Sequence, residues 1–224
     1  MTLNPKAAYQ HFESNITAAT QLTDMYVELR KHRKLGGRGR LDAANEDLLW
    51  LPRSAVVASL SALDAYVHAV LHERIPHVLR REDIPDSLCT RMVDIIPIKN
   101  PKDFRKALPI IVARKAVAEL SARLREELGT RPFQSPKNIQ AAYGLIGHPD
   151  IFEDVSNIWS GPNRTAEDIR KKLAGYVKRR NQIVHEGDRD AHGNPHPMRP
   201  DYAYYCRDFT ANLVTKLNGV VHGT

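Results

Sequence analysis

Apolar positions recur at helical spacing along the whole chain, and strand-like alternation bounded by turn residues is nearly absent. The pattern predicts an all-α fold. Asn4-Pro5 opens the first helix, with asparagine as N-cap and proline at the first helical position, and Gly36-Gly37 ends it. A second long helix starts near residue 44 or at Pro52 and reaches about residue 72. Its apolar positions Val56, Leu60, Leu63, Val67, Val70 and Leu71 share one face. Pro76, Pro85, Pro97 and Pro101 then punctuate a region of shorter helices. Residues 104–128 read as one helix bent at Pro109 and stopped by Gly129. Two short helices, 139–146 and 151–159, are divided by Gly147-His148-Pro149. Thr165-Ala166-Glu167-Asp168 resembles a capping box, with Asp168 where glutamate is usual, and opens a helix that ends near Gly187. Residues 188–200 form a polar, proline-broken loop, and 202–221 form the last helix. The chain reads as one domain, 1–224, with 76–160 as an insert in a simpler bundle.

The helix between Thr165 and Gly187 breaks its own pattern. Advancing 100° per residue from Ile169, the side chains Leu173, Tyr176, Val177, Ile183 and Val184 fall within about 80° of it, a core-facing stripe. Arg180 falls at about 20°, in the middle of that stripe. A guanidinium does not give up its charge, so an inward one needs an anionic or hydrogen-bonding partner. Asp64, beside Leu60, Leu63 and Val67 on the second helix, is one candidate. Asp64 pairing locally with His68 or with Arg53 is another, and Arg180 reaching solvent at the stripe's end is a third. His185 occupies the last turn, where a helix end favours a cationic imidazole and a titrating histidine suits proton transfer. Asn181 and His185, four residues apart, share a face away from the stripe, flanked by Lys171, Lys172, Lys178, Arg179 and Arg189. Alone, that basic run is a solvated face. With an Asn-His pair beside it, it reads as a phosphate track.

Charge strengthens this picture modestly. Lys and Arg total 33 against 26 Asp and Glu, a formal net charge of +7, which favours anionic partners such as RNA. The two cysteines, Cys89 and Cys206, form no CxxC pair and suggest neither zinc nor a disulfide framework. The start of the chain does not pattern as a signal peptide, and no run reaches the roughly 18 consecutive apolar residues of a membrane helix. The expectation is a cytoplasmic protein with no membrane partner. Asp188, Asp190, His192 and His196 gather potential metal ligands in one loop, but without a helical frame or cysteines they read as solvated. No metal and no cofactor are expected. Gly36-Gly37-Arg38-Gly39-Arg40 lacks the strand and the Lys-Ser/Thr of a P-loop. Trp50, Trp159 and Tyr202-Ala203-Tyr204-Tyr205 can stack on bases, though at helical spacing they read first as core or dimer contacts.

Arg180-Asn181-x-x-x-His185 resembles the Arg–polar–x3–His signature of the HEPN superfamily, and the helix carrying Arg53, Asp64 and His68 looks like that family's first acidic helix. The likeness is to the prokaryotic RiboL-PSP branch. The resemblance implies an up-and-down helical bundle of HEPN type, with extra short helices inserted in the middle. It implies a homodimer with motif helices face to face, and metal-independent endoribonuclease activity at a composite site. On that likeness Arg180 holds the scissile phosphate, His185 is general acid or base, and Asn181 positions either. Asp64 is a supporting residue, and Lys178, Arg179 and Arg189 touch the RNA backbone. Family members serve in toxin–antitoxin or antiviral defence systems, which implies an antitoxin or defence protein as a further partner. Other HEPN domains have lost catalysis, so a non-catalytic dimerisation or RNA- or partner-binding module is the alternative. In that alternative Arg180 is a structural ion-pair member.

Overall fold

The structure is a computed structural model and describes residues 7–36, 41–96, 101–160, 162 and 165–223. Those residues form nine α-helices and no strands: α1 (Ala7–His32), α2 (Trp50–Val78), α3 (Asp86–Ile95), α4 (Pro101–Ile111), α5 (Ala116–Gly129), α6 (Pro136–Gly144), α7 (Ile151–Asn157), α8 (Ala166–His185) and α9 (Pro200–His222). A short 3-10 helix, Ala43–Leu49, leads into α2. The all-α expectation therefore holds. The opening at Asn4-Pro5 and the loop Gly37-Arg38-Gly39-Arg40 lie outside the described residues.

The central helix is α2. Its six expected apolar positions are all buried, and so are Ala55, Ser59, Ala62 and Tyr66 on other faces. Helices α1, α9, α8, α5 and α6 surround it, which is why its apolar character runs almost all the way round. The segment Ala43–Val78 is long and apolar enough to cross a membrane by length and composition, and more than half of its apolar window is buried within the fold. Pro76 does not end α2, as its position suggested. It sits in the last turn, where the missing N–H removes one late backbone bond and the helix runs on to Val78.

Two further expectations change. The helix expected over 104–128 is two helices, α4 and α5, separated at residues 112–115. Pro109 lies inside α4 and is not the break. The region 76–160 contributes Leu88, Leu124, Leu128, Ile139, Tyr143, Phe152 and Val155 to the same buried cluster as α1, α2, α8 and α9. Only α4 stands apart: its buried residues Ala107 and Ile110 are not members of that cluster.

Both ends of α8 follow from local chemistry. The Thr165 hydroxyl oxygen accepts from the Asp168 backbone N–H at 3.1 Å and donates to the Asp168 carboxylate at 2.7 Å. At the other end Glu186 is the C-cap, and Gly187 and Asp188 both take left-handed backbone (φ 60° and 56°). Glycine does so freely, whereas aspartate needs compensation from its surroundings. The turn directs the chain from α8 back across the start of α2.

Candidate active site at the end of the motif helix

Asp188 supplies that compensation. Its side chain is 1% exposed and lies between two guanidinium groups. Arg53 of α2 donates from Nε, and Arg179 of α8 donates from Nη1 and from Nη2, the latter at 2.9 Å. Arg53 also donates to the His196 carbonyl at 2.9 Å, and Arg179 to the Pro197 carbonyl at 3.2 Å. One carboxylate thus ties the start of α2, the last turns of α8 and the return loop together. The Arg53 guanidinium in turn lies 5.2 Å from the centre of the Trp50 ring. Arg179, expected to contact RNA, is a member of this network through Asp188.

Sequence reasoning missed Asp188 as an anchor. Part of the signal was present, since Arg53 lies three and seven residues before Val56 and Leu60, on the apolar side of α2. That is the same stripe violation that singled out Arg180. Asp188 carried no comparable mark, because a loop carboxylate becomes significant only when the chain folds back.

Arg180 itself is half-buried. Among the described residues it has no carboxylate partner, and its Nε is buried without a hydrogen bond. Its Nη1 donates to Asn181 Oδ1 at 3.2 Å and lies 3.5 Å from His185 Nε2. A guanidinium can only donate, so in a hydrogen bond between the two groups Nε2 is the acceptor. Asn181 and His185 are exposed. The three residues of the motif therefore converge on one guanidinium at the exposed end of α8. Asp64 does not join them: its carboxylate accepts from the backbone N–H of Phe133, fixing the entry to α6 against α2. The anchoring role that the sequence offered to an Asp64–Arg180 pair falls to Asp188, Arg53 and Arg179. Val184, expected in the core stripe, is exposed beside the motif. It is one residue from the helix end, where the core no longer covers α8.

Two concavities flank this end of α8. A small groove of about 350 Å³ is lined by Ser135, Pro136, Val177, Lys178, Asn181 and Glu186, among others, which places Asn181 and Lys178 on one wall. A larger cleft of about 1170 Å³ opens at Gly187, Asp188 and Arg189 and extends past Trp50, Lys31 and Arg199. Arg189 is exposed there, with Nη1 on the Gly193 carbonyl at 2.7 Å. Carboxylates of Glu46, Asp47 and Asp201 share the cleft, so its charge is mixed. The loop once considered for metal ligands is otherwise organised. Asp188 is held by arginines, and Asp190 accepts from the backbone N–H groups of His192 and Asn194 at 2.8 Å each. Among the described residues no group of three or more His, Cys, Asp or Glu is placed to hold a metal ion. No family model, curated protein or solved structure matches this chain.

Proposed function

We propose that this chain is a HEPN-type endoribonuclease that cleaves RNA without metal, at a site shared between two copies. The observation that carries the reading is the state of Arg180. Its guanidinium has no carboxylate partner among the described residues, yet it stands within hydrogen-bonding reach of Asn181 and His185 at an exposed helix end. A cation so placed, with an imidazole and an amide beside it, is a receptor for one phosphodiester. The rival reading, a non-catalytic module, uses Arg180 as a structural ion-pair member. That role is filled one residue earlier, by Arg179.

The chemistry needs one base and one acid. A neutral imidazole takes the proton from the RNA 2′-hydroxyl as that oxygen attacks phosphorus. A second, protonated imidazole gives a proton to the departing 5′-oxygen. Two copies supply two His185 rings, one for each step, and two Arg180 side chains to hold the charge that builds on the phosphoryl oxygens. Asn181 orients Arg180 through its side-chain carbonyl. Lys178 and Arg189, on the two flanking concavities, draw in the backbone on either side of the scissile bond. The biological setting proposed is toxin–antitoxin or antiviral defence, with a protein antagonist as regulator.

The test is cleavage of total RNA by the purified protein in EDTA. Cleavage is expected to vanish in His185→Ala and Arg180→Ala while both variants stay folded. Undiminished cleavage by folded His185→Ala overturns the assignment.

A further inference from the structure

Helix α4 and the residue after it concentrate exposed large apolar side chains. Phe104, Leu108, Ile111 and Val112 are all exposed, Val112 by 70%. They recur at i, i+4, i+7 and i+8, with Val112 one residue past the end of α4, so they line one face over nine residues, about 12 Å of helical rise. Ala107 and Ile110, on the adjoining side of the helix, are buried where α4 packs on α5. The helix therefore carries one broad apolar face, and the fold covers only one side of it. Scattered exposed apolar side chains need no explanation, but a contiguous helical stripe of four marks a contact surface.

The flanks of that stripe say what covers it. Lys102, Arg105, Lys106, Arg114 and Lys115 are all exposed within the same fifteen residues, against one acidic residue, Asp103. Two copies meeting on this face bring like charges together, which disfavours a second copy as the occupant. Neither flanking concavity of α8 is lined by α4. An exposed apolar helix face with long cationic side chains on the rest of the helix and in the turn after it fits a deformable anionic surface. Ile, Leu, Val and Phe enter the acyl boundary while Lys and Arg reach up to the headgroups. We infer that α4 is an interfacial helix that docks the protein on anionic lipid bilayers.

This goes beyond the ribonuclease reading and does not depend on it. It also departs from the sequence expectation of no membrane partner. The apolar pattern predicts 104–128 as one helix bent at Pro109, without assigning the direction of its apolar face. The break at 112–115 frees α4 from the register of α5.

The experiment is co-sedimentation of the full-length protein with two kinds of vesicle: phosphatidylcholine alone, and equal parts phosphatidylcholine and phosphatidylglycerol. The protein is expected to pellet with the anionic vesicles only, and added salt is expected to weaken the association. Leu108→Ser/Ile111→Ser removes the exposed apolar face and Arg105→Glu/Lys106→Glu removes flanking charge. Each is expected to weaken binding by at least about tenfold. Both variants are expected to keep the wild-type melting temperature and RNA cleavage, because these side chains are exposed and distant in sequence from the motif. Absence of pelleting with anionic vesicles overturns the inference. So does equal binding to neutral vesicles, or binding that neither pair of substitutions weakens. Loss of self-association in Leu108→Ser/Ile111→Ser without vesicle binding also overturns it, and assigns the face to a second copy.

Discussion

Asp188→Ala removes the carboxylate that holds two guanidinium groups at the junction of α2, α8 and the return loop. The side chains of Arg53 and Arg179 are 5% and 12% exposed, so neither can recover full hydration. Breaking a buried pair from one side costs about 3–5 kcal/mol, because the orphaned charge stays buried. For a chain of this size that is a fall in melting temperature of about 6–20 °C. Part of any loss in the alanine variant comes from the left-handed backbone at position 188, which alanine tolerates poorly. Asp188→Gly separates the two effects, since glycine accepts that backbone freely but restores no charge. It is expected to melt nearly as low as Asp188→Ala. Replacing all three members, as Arg53→Met/Arg179→Met/Asp188→Leu, is expected to cost less than Asp188→Ala alone, since an apolar cluster leaves no orphaned ion. Thermal unfolding followed by far-UV circular dichroism reads each value. A melting temperature for Asp188→Ala within about 2 °C of wild type refutes the reasoning.

Further outcomes follow from neighbouring groups. Arg180→Ala is expected to cost at most about 1 kcal/mol in urea unfolding, because no buried ion pair is broken, while RNA cleavage falls. A loss as large as that of Asp188→Ala would return Arg180 to a structural role. Cys206 is buried and its thiol is pushed up to about 12, mainly by that burial, whereas Cys89 is exposed. One thiol is therefore expected to react rapidly with a maleimide at neutral pH and the second only on unfolding, and two fast thiols would contradict the core packing. Burial holds the His72, His148 and His222 imidazoles below their ordinary value, and Arg74 adds to the effect at His148 and His222. The unfolded chain then takes up protons first as pH falls below about 6.5, so stability present above that pH is lost on acidification. The urea midpoint is expected to drop between about pH 7.5 and 5.5, and a midpoint that rises over that window would contradict the sign.

The helical class and most helix positions were legible because the apolar spacing is regular and the punctuation is local. Thr165 with Asp168 and Gly187 act within one turn of their own position, so a linear reading finds them. The motif residues were legible for a similar reason: Arg180, Asn181 and His185 lie within two turns of one helix. What could not be read is what depends on the chain returning. Asp64 and Asp188 are both carboxylates with arginines within plausible reach, and only the folded loop decides that Asp188 takes Arg53 and Arg179 while Asp64 caps Phe133. Spacing suggested the right kind of pair and the wrong partners. The exposed face of α4 was hidden by the opposite failure. Its periodicity is helical, but periodicity does not reveal how much of a broad apolar face the fold covers.

The most direct test of the central claim is the chemistry of the cut ends. RNA incubated with the protein in EDTA is expected to yield fragments with 2′,3′-cyclic phosphate and 5′-hydroxyl termini, and a 2′-deoxy linkage at the cut site is expected to resist. Fragments with 5′-phosphate ends, cleavage at the deoxy linkage, or RNA left intact by folded wild-type protein would contradict a site in which Arg180 holds the phosphate and His185 moves the protons.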